Sequence, residues 1–248
     1  MNLREHLQVL DDPTAVAQRA AQFICDAARD AIATRGRFSV ALTGGSSPLE
    51  TYALLAAPAF RDAIDWSRVQ LFWGDERAVA PGRAESNYGA ANTRLVQHVA
   101  IPAGNVHRME GERSDLEHAA SDYAETLRAH CDRTRENTPV VDLILLGIGG
   151  DGHILSLFPG CAEITAPSAD VVALRDPPMN PALSRISFTP RTLFAARAVL
   201  VFAHTAAKAK PLAALLDGPD DPTKLPARLL RAAHSPVTIL ADRAAITA

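Results

Sequence analysis

Imidazole ordinarily titrates close to neutrality, so a histidine carried into a cleft by a sharply turning backbone is suited to general-base chemistry. Of the 8 histidines in the sequence, only His153 follows such a run, Gly147-Ile148-Gly149-Gly150-Asp151-Gly152. The glycines let the chain turn tightly, and Asp151 is close enough in sequence to bias the tautomer of His153. Ser156 is a conceivable nucleophile, but there is no Gly-x-Ser-x-Gly elbow, so it reads as structural. A second charged segment, Gly74-Asp75-Glu76-Arg77, follows an apolar run. Arg77 could bind an anion or stabilise an oxyanion, and Asp75 could accept a hydroxyl or orient a base, although an ordinary solvated ion pair would look the same. Downstream, Ser86-Asn87-Tyr88 reads as a helix cap, with Asn87 a candidate ligand and Tyr88 expected to face a pocket.

Anion binding has its own candidates. Gly44, Gly45, Ser46 and Ser47, followed by Pro48, form a glycine turn between an apolar run and a helix start, where backbone N–H groups and the helix dipole favour negative charge. Gly150 in the histidine loop is a further candidate for substrate contact. Arg185 opens an apolar run and Lys208 falls in the first turn of an expected helix, where a cation opposes the dipole unless an anion compensates it. Lys210 reads as a plain surface residue.

Elements of both periodicities are needed to position these segments. Apolar residues at helical spacing over 14–35 end at Gly36, an expected C-terminal cap. Strands are expected at 38–43, 69–73, 140–147, 171–174, 185–188, 199–203 and 237–240. Helices are expected at 48–55, 87–99, from a capping box at Ser114-Asp115-Leu116-Glu117 to 132, at 206–216 and at 227–232. The run at 140–147 is almost continuously apolar, as in a central parallel strand covered on both faces. The alternation predicts an α/β fold: a doubly wound, mostly parallel sheet with helices on both faces, residues 1–248 forming one domain. Ligands of such sheets bind beyond the carboxyl ends of strands, which is where the candidate residues fall.

Composition narrows the function. The chain is 48% hydrophobic and 21% charged with a net charge of −3, an ordinary soluble balance that argues against nucleic acid as a partner. The 3 cysteines are far apart with no Cys-x-x-Cys pair, fitting neither a disulfide framework nor a zinc site, so no metal is expected. The Walker and dinucleotide patterns are absent, and no cofactor is expected. No apolar run approaches a membrane span and the N-terminus lacks the core of a signal peptide, so a cytoplasmic protein with no membrane partner is expected, monomeric or weakly homo-oligomeric.

Together the segments resemble the 6-phosphogluconolactonase family, related in fold to the glucosamine-6-phosphate deaminases. The resemblance rests on Gly44-Gly45-Ser46-Ser47-Pro48, on Gly74 to Arg77 with Ser86 to Tyr88, and on Gly147 to His153. It implies that His153 is the general base and that Arg77 meets the reacting end of a phosphorylated sugar lactone. It further implies that Arg185 and Lys208 join the glycine turn around the phosphate. Departures from the family pattern are Ile154-Leu155 after the histidine, Ala206-Ala207 in place of a glycine before Lys208, and 237–240 without the usual tryptophan. Arg77 separates this chain from the deaminases, which usually carry tyrosine there and asparagine rather than Asp151. A sugar-phosphate sensor attached to a DNA-binding head is the other alternative, disfavoured because the catalytic-type pattern begins near residue 14.

Overall fold

A computed structural model describes residues 1–179 and 181–247. The chain opens with β1 (Leu7–Leu10) and α1 (Pro13–Arg35). Asp12 caps α1 by accepting from Ala15 N at 2.8 Å, Pro13 fills the first turn where no N–H is needed, and Gly36 ends the helix at φ 75°. Next come β2 (Phe38–Leu42), α2 (Leu49–Ala56), α3 (Pro58–Arg61), β3 (Val69–Trp73), β4 (Asp75–Arg77) and α4 (Asn87–Arg94). α5 (Leu116–His130) leads to a small hairpin, β5 (Asp132–Arg133) and β6 (Pro139–Val140), and then to β7 (Leu143–Gly147). β8 (Val171–Leu174), β9 (Arg185–Phe188), α6 (Pro190–Ala195), β10 (Val199–Ala203), α7 (Ala209–Asp217) and β11 (Val237–Asp242) complete the order.

Six strands form one parallel sheet in the order β1-β11-β10-β7-β2-β3. Alternate residues of the central strands enter two separate apolar cores. Ile144, Leu146, Val199 and Val201 pack with α5 and α7 on one face, while Leu143, Leu145, Leu200 and Phe202 pack with α1 and α2 on the other. Both faces are thus covered, as the unbroken apolar runs require. The chain runs outward from β2 to β3 and then returns to place β7 on the other side of β2, so the winding reverses between β2 and β7, where such sheets open a crevice.

Several expected elements differ. β8 and β9 do not join the main sheet; with β4 they build a separate antiparallel sheet ordered β4-β9-β8. The run at 140–147 is broken between β6 and β7, because buried Asp142 accepts from Ser39 N and Oγ at 2.8 and 2.9 Å and pairs with Arg35 and Arg197. α5 begins one residue later than a Ser114 cap would place it: Asp115 accepts from His118 N at 2.9 Å, and Glu117 turns outward to Arg175. The expected helix at 87–99 ends at Arg94 and continues only as a short 3-10 turn, Val96–His98. The helices expected at 206–216 and 227–232 are a 3-10 turn (Ala206–Lys208) leading into α7, and a 3-10 helix (Pro226–Ala232).

Candidate active site

Four segments converge at the carboxyl ends of the adjacent strands β10, β7, β2 and β3. They line a cleft of ≈ 230 Å³ whose walls include the 44–47 turn, Asp75, Arg77, Asn87, Gly149, His153, Arg185 and Lys208. Sequence-distant candidates therefore meet. Gly150 and Asp151 are not among the lining residues; Asp151 reaches the cleft through His153.

The histidine loop is held by Gly149 N donating to His153 O at 2.8 Å and Gly152 N donating to Gly149 O at 3.0 Å. Gly152 sits at φ 84°, a left-handed conformation open to glycine. His153 Nδ1 lies 2.6 Å from Asp151 Oδ1, which also accepts from His153 N at 3.1 Å. Burial opposes ionisation of Asp151, but the bonds from His153 outweigh it and hold the carboxyl below its ordinary range. A carboxylate accepting at Nδ1 leaves Nε2 unprotonated in the neutral ring. Phe158 packs against the ring at 4.5 Å between centroids.

β4 and β9 place Arg77 directly opposite Arg185. Two like charges in register repel, and neither is neutralised: among the described residues no carboxylate lies within ion-pair distance of Arg77, Arg185 or Lys208. Arg77 Nη1 donates to Glu85 O while its buried Nε has no partner. Arg185 is 4% exposed and donates to Leu183 O at 3.1 Å and to the thioether of Met179. Burial, then the neighbouring Arg77, push its guanidinium below the usual value. Burial likewise lowers Lys208, partly offset by Asp151, and its Nζ donates to Ile148 O at 2.7 Å. The cleft thus holds three cations without carboxylate partners, Arg185 buried and Arg77 and Lys208 partly so, an arrangement suited to negative charge.

Asp75 is buried and does not touch His153. Its Oδ2 accepts from Ser156 Oγ at 2.6 Å and its Oδ1 from Asn87 Nδ2 at 3.1 Å. Ser156 is thus a bridge between the histidine loop and β4. Asn87 in turn approaches Gly44 so closely that a Cβ there would lie 1.8 Å from Asn87 Oδ1, so this glycine is required for contact, whereas Gly45 at φ 81° makes the turn. Tyr52 OH fixes the start of this turn, accepting from Thr43 N at 3.1 Å and donating to Thr43 O at 2.8 Å.

Ser86 caps α4 as expected, accepting from Gly89 N at 3.0 Å. Tyr88, by contrast, turns away from the cleft and packs edge-on against Trp73, 5.2 Å between centroids. Glu76 was not singled out from the sequence, yet its buried carboxylate accepts from the backbone N–H groups of Arg77, Asn87 and Tyr88 and from Ser86 Oγ at 2.7 to 3.0 Å. Burial raises its pKa against these bonds. It anchors two cleft residues, Arg77 and Asn87, to one carboxylate. Met179 also lines the cleft without any signal in the sequence.

The family model described as glucosamine-6-phosphate isomerases/6-phosphogluconolactonase matches residues 11–239. The chain belongs to this family. Among curated members of the family, a 6-phosphogluconolactonase of Streptomyces coelicolor is 37% identical over 221 residues, covering 84% of each chain. One of Mycobacterium leprae is 36% identical over 216 residues, covering 86% of each. The solved structure of 6-phosphogluconolactonase from Trypanosoma brucei matches with a TM-score of 0.83 at 27% identity over 96% of each chain. The family match spans all four cleft segments, since residues 44–47, 74–77, 147–153 and 208 fall inside it.

Proposed function

We propose that this protein hydrolyses 6-phospho-D-glucono-1,5-lactone to 6-phospho-D-gluconate, the second step of the oxidative pentose phosphate pathway. The observation that carries the reading is the 2.6 Å contact of Asp151 with His153 at a cleft holding Arg77, Arg185 and Lys208 without carboxylate partners. Relatives named 6-phosphogluconolactonase at 36–37% identity support the same activity.

In this mechanism the neutral His153 Nε2 takes a proton from water as the water oxygen attacks the lactone carbonyl carbon. Arg77 and nearby backbone amides stabilise the tetrahedral oxyanion. Collapse breaks the bond from C1 to the ring oxygen, which takes the proton from His153. Asp151 holds the imidazole in the required tautomer and stabilises its protonated form, a task that suits a carboxyl kept ionised by its bonds to His153. Asp75 and Asn87 are suited to sugar hydroxyls, and Gly44, Gly45, Ser46 and Ser47 with Arg185 and Lys208 to the phosphate. His153 would supply roughly 100- to 10,000-fold of the rate as acid and base.

The chain is proposed to work as one domain over residues 1–248, as a monomer or weak homo-oligomer. The cytoplasm is the compartment that suits Cys25, Cys131 and Cys161, all free thiols. No described helix is long and apolar enough to cross a membrane. The deciding assay is hydrolysis of freshly prepared 6-phosphogluconolactone, corrected for its spontaneous rate. Absence of catalysis, or release of ammonia from an amino-sugar phosphate instead, would overturn the reading.

A further inference from the structure

The glycine turn and Lys208 follow strands that are not neighbours. β7 lies between β2 and β10, so no ladder hydrogen bond sets the turn against the lysine segment. Among the described residues, one side-chain hydrogen bond joins the two: His204 Nε2 lies 3.1 Å from the backbone oxygen of Ser47. A carbonyl only accepts, so the proton of neutral His204 is on Nε2, and the buried Nδ1 is left without a partner. His204 does not line the cleft.

The residue that follows His204 is held in a costly conformation. Thr205 has φ 75° and ψ 154°, a region populated almost entirely by glycine. Its N–H donates to Asp242 Oδ1 at 2.9 Å, and buried Asp242 is fixed in turn by Ala245 N at 2.9 Å. Thr205 O accepts from Lys208 N at 2.9 Å. This kink turns the chain so that His204 reaches Ser47 on one side while Lys208 Nζ reaches Ile148 O at 2.7 Å on the other. Strain of this kind persists only where the surroundings over-determine it, and here its result is a fixed relation between two parts of an anion site.

The geometry points to His204 as a positioning residue for anion recognition: its bond to Ser47 sets the 44–47 turn at the distance from Lys208 at which both meet one phosphate. This rests on the reading of the turn and Lys208 as the phosphate site. A residue important only for folding would impair every substrate alike, whereas a residue that sets the phosphate site acts on phosphorylated ligands alone.

The test compares His204→Ala with His204→Gln, whose amide nitrogen can donate where Nε2 does. Losing one hydrogen bond should raise KM for 6-phosphogluconolactone about tenfold in His204→Ala, with kcat within about twofold. Kinetics on unphosphorylated glucono-1,5-lactone should not change, and His204→Gln should recover most of the KM. Calorimetric titration of 6-phosphogluconate and of inorganic phosphate should show the same loss and recovery. Equal damage to both lactones, a fall confined to kcat, or a glutamine variant as defective as alanine would overturn the role. Should the alanine variant fold poorly, His204→Asn, with an amide too short for Ser47, replaces it: weaker phosphate binding supports the role and unchanged binding overturns it. If the unaltered protein binds phosphate but does not hydrolyse the lactone, the proposed activity fails while the titrations still read His204.

Discussion

His153 and Asp151 are two residues apart, and their contact is possible because Gly149, between them and the sheet, has no side chain. A Cβ on Gly149 would stand 2.1 Å from His153 Nδ1 and 2.6 Å from Asp151 Oδ1. Its own φ is not in the left-handed region, so alanine there would leave the backbone unstrained and act on the pair alone. Gly149→Ala is therefore expected to lower kcat by more than about tenfold, as misplacing a catalytic group by an ångström does, with a thermal midpoint close to that of the unaltered protein. A normal kcat would show that the pair tolerates displacement. His153→Ala should go further, losing about 100- to 10,000-fold of the rate, because its side chain stands on the cleft wall and serves the chemistry more than the core. Circular dichroism should stay unchanged; activity within about tenfold of normal, roughly 1.4 kcal/mol of barrier, would remove His153 from the base role. The loop that carries His153 to the cleft was legible in the sequence, because four glycines in the six positions before a histidine mark a sharply turning, closely approached backbone. Glu76 was not, because an acidic residue satisfied by backbone N–H groups looks in sequence like a surface charge.

At the scale of elements, legibility followed the source of each element's stability. β2 and β10 are buried along their lengths, as is β7 up to Gly147, and they announce themselves as apolar runs. β4 consists of Asp75, Glu76 and Arg77; it is a strand because β9 pairs with it and because polar partners satisfy its carboxylates, neither of which a hydrophobic period can reveal. β1 is a partly exposed edge strand of four residues, held by β11 from the far end of the chain. The segment after β3 contains a further feature absent from any pattern. His107 stacks on Phe72 at 4.7 Å, lies tilted against His130 at 4.2 Å between centroids, and donates to Gln70 Oε1 at 2.7 Å. Burial, then the His130 charge, push His107 down from 6.5 to about 4. Unfolding lets the ring take up a proton below pH about 6.5, so the neutral folded form gains stability above that value and loses it as pH falls toward about 4. For a half-buried ring, screening leaves about 1 kcal/mol of this linkage, or about 2–4 °C. His107→Phe keeps a ring against Phe72 and cannot titrate. The drop in thermal midpoint between pH 7 and pH 4.5 should be smaller in this variant by about that amount; identical drops would assign the acid sensitivity elsewhere.

On the scale of the whole molecule, the sheet order decides which loops meet: β10, β7, β2 and β3 are adjacent, and the loops leaving their carboxyl ends carry the cleft. An alternating sequence pattern predicts a parallel sheet but not this order, so the convergence of Lys208 with Gly44 had rested on resemblance alone. The same convergence changes what Lys208 should do. Its ammonium donates to Ile148 O, within the glycine loop that carries His153, as well as facing the cleft beside the 44–47 turn. A group binding only the unreacting phosphate would contribute equally to ground and transition states and act through KM. A group that also steadies the histidine loop must touch kcat. Lys208→Ala is thus expected to raise KM for 6-phosphogluconolactone about 10- to 100-fold, the range of a charge-assisted bond of about 1.5–3 kcal/mol, and to lower kcat by a further few-fold. Glucono-1,5-lactone, which lacks the phosphate, separates the two contributions: its KM should be unaffected while its kcat falls by the same few-fold. Loss confined to KM with the phosphorylated lactone would show that the Ile148 contact is passive. Equal impairment of KM for both lactones would remove Lys208 from the phosphate site and leave that role to Arg185 and the glycine turn.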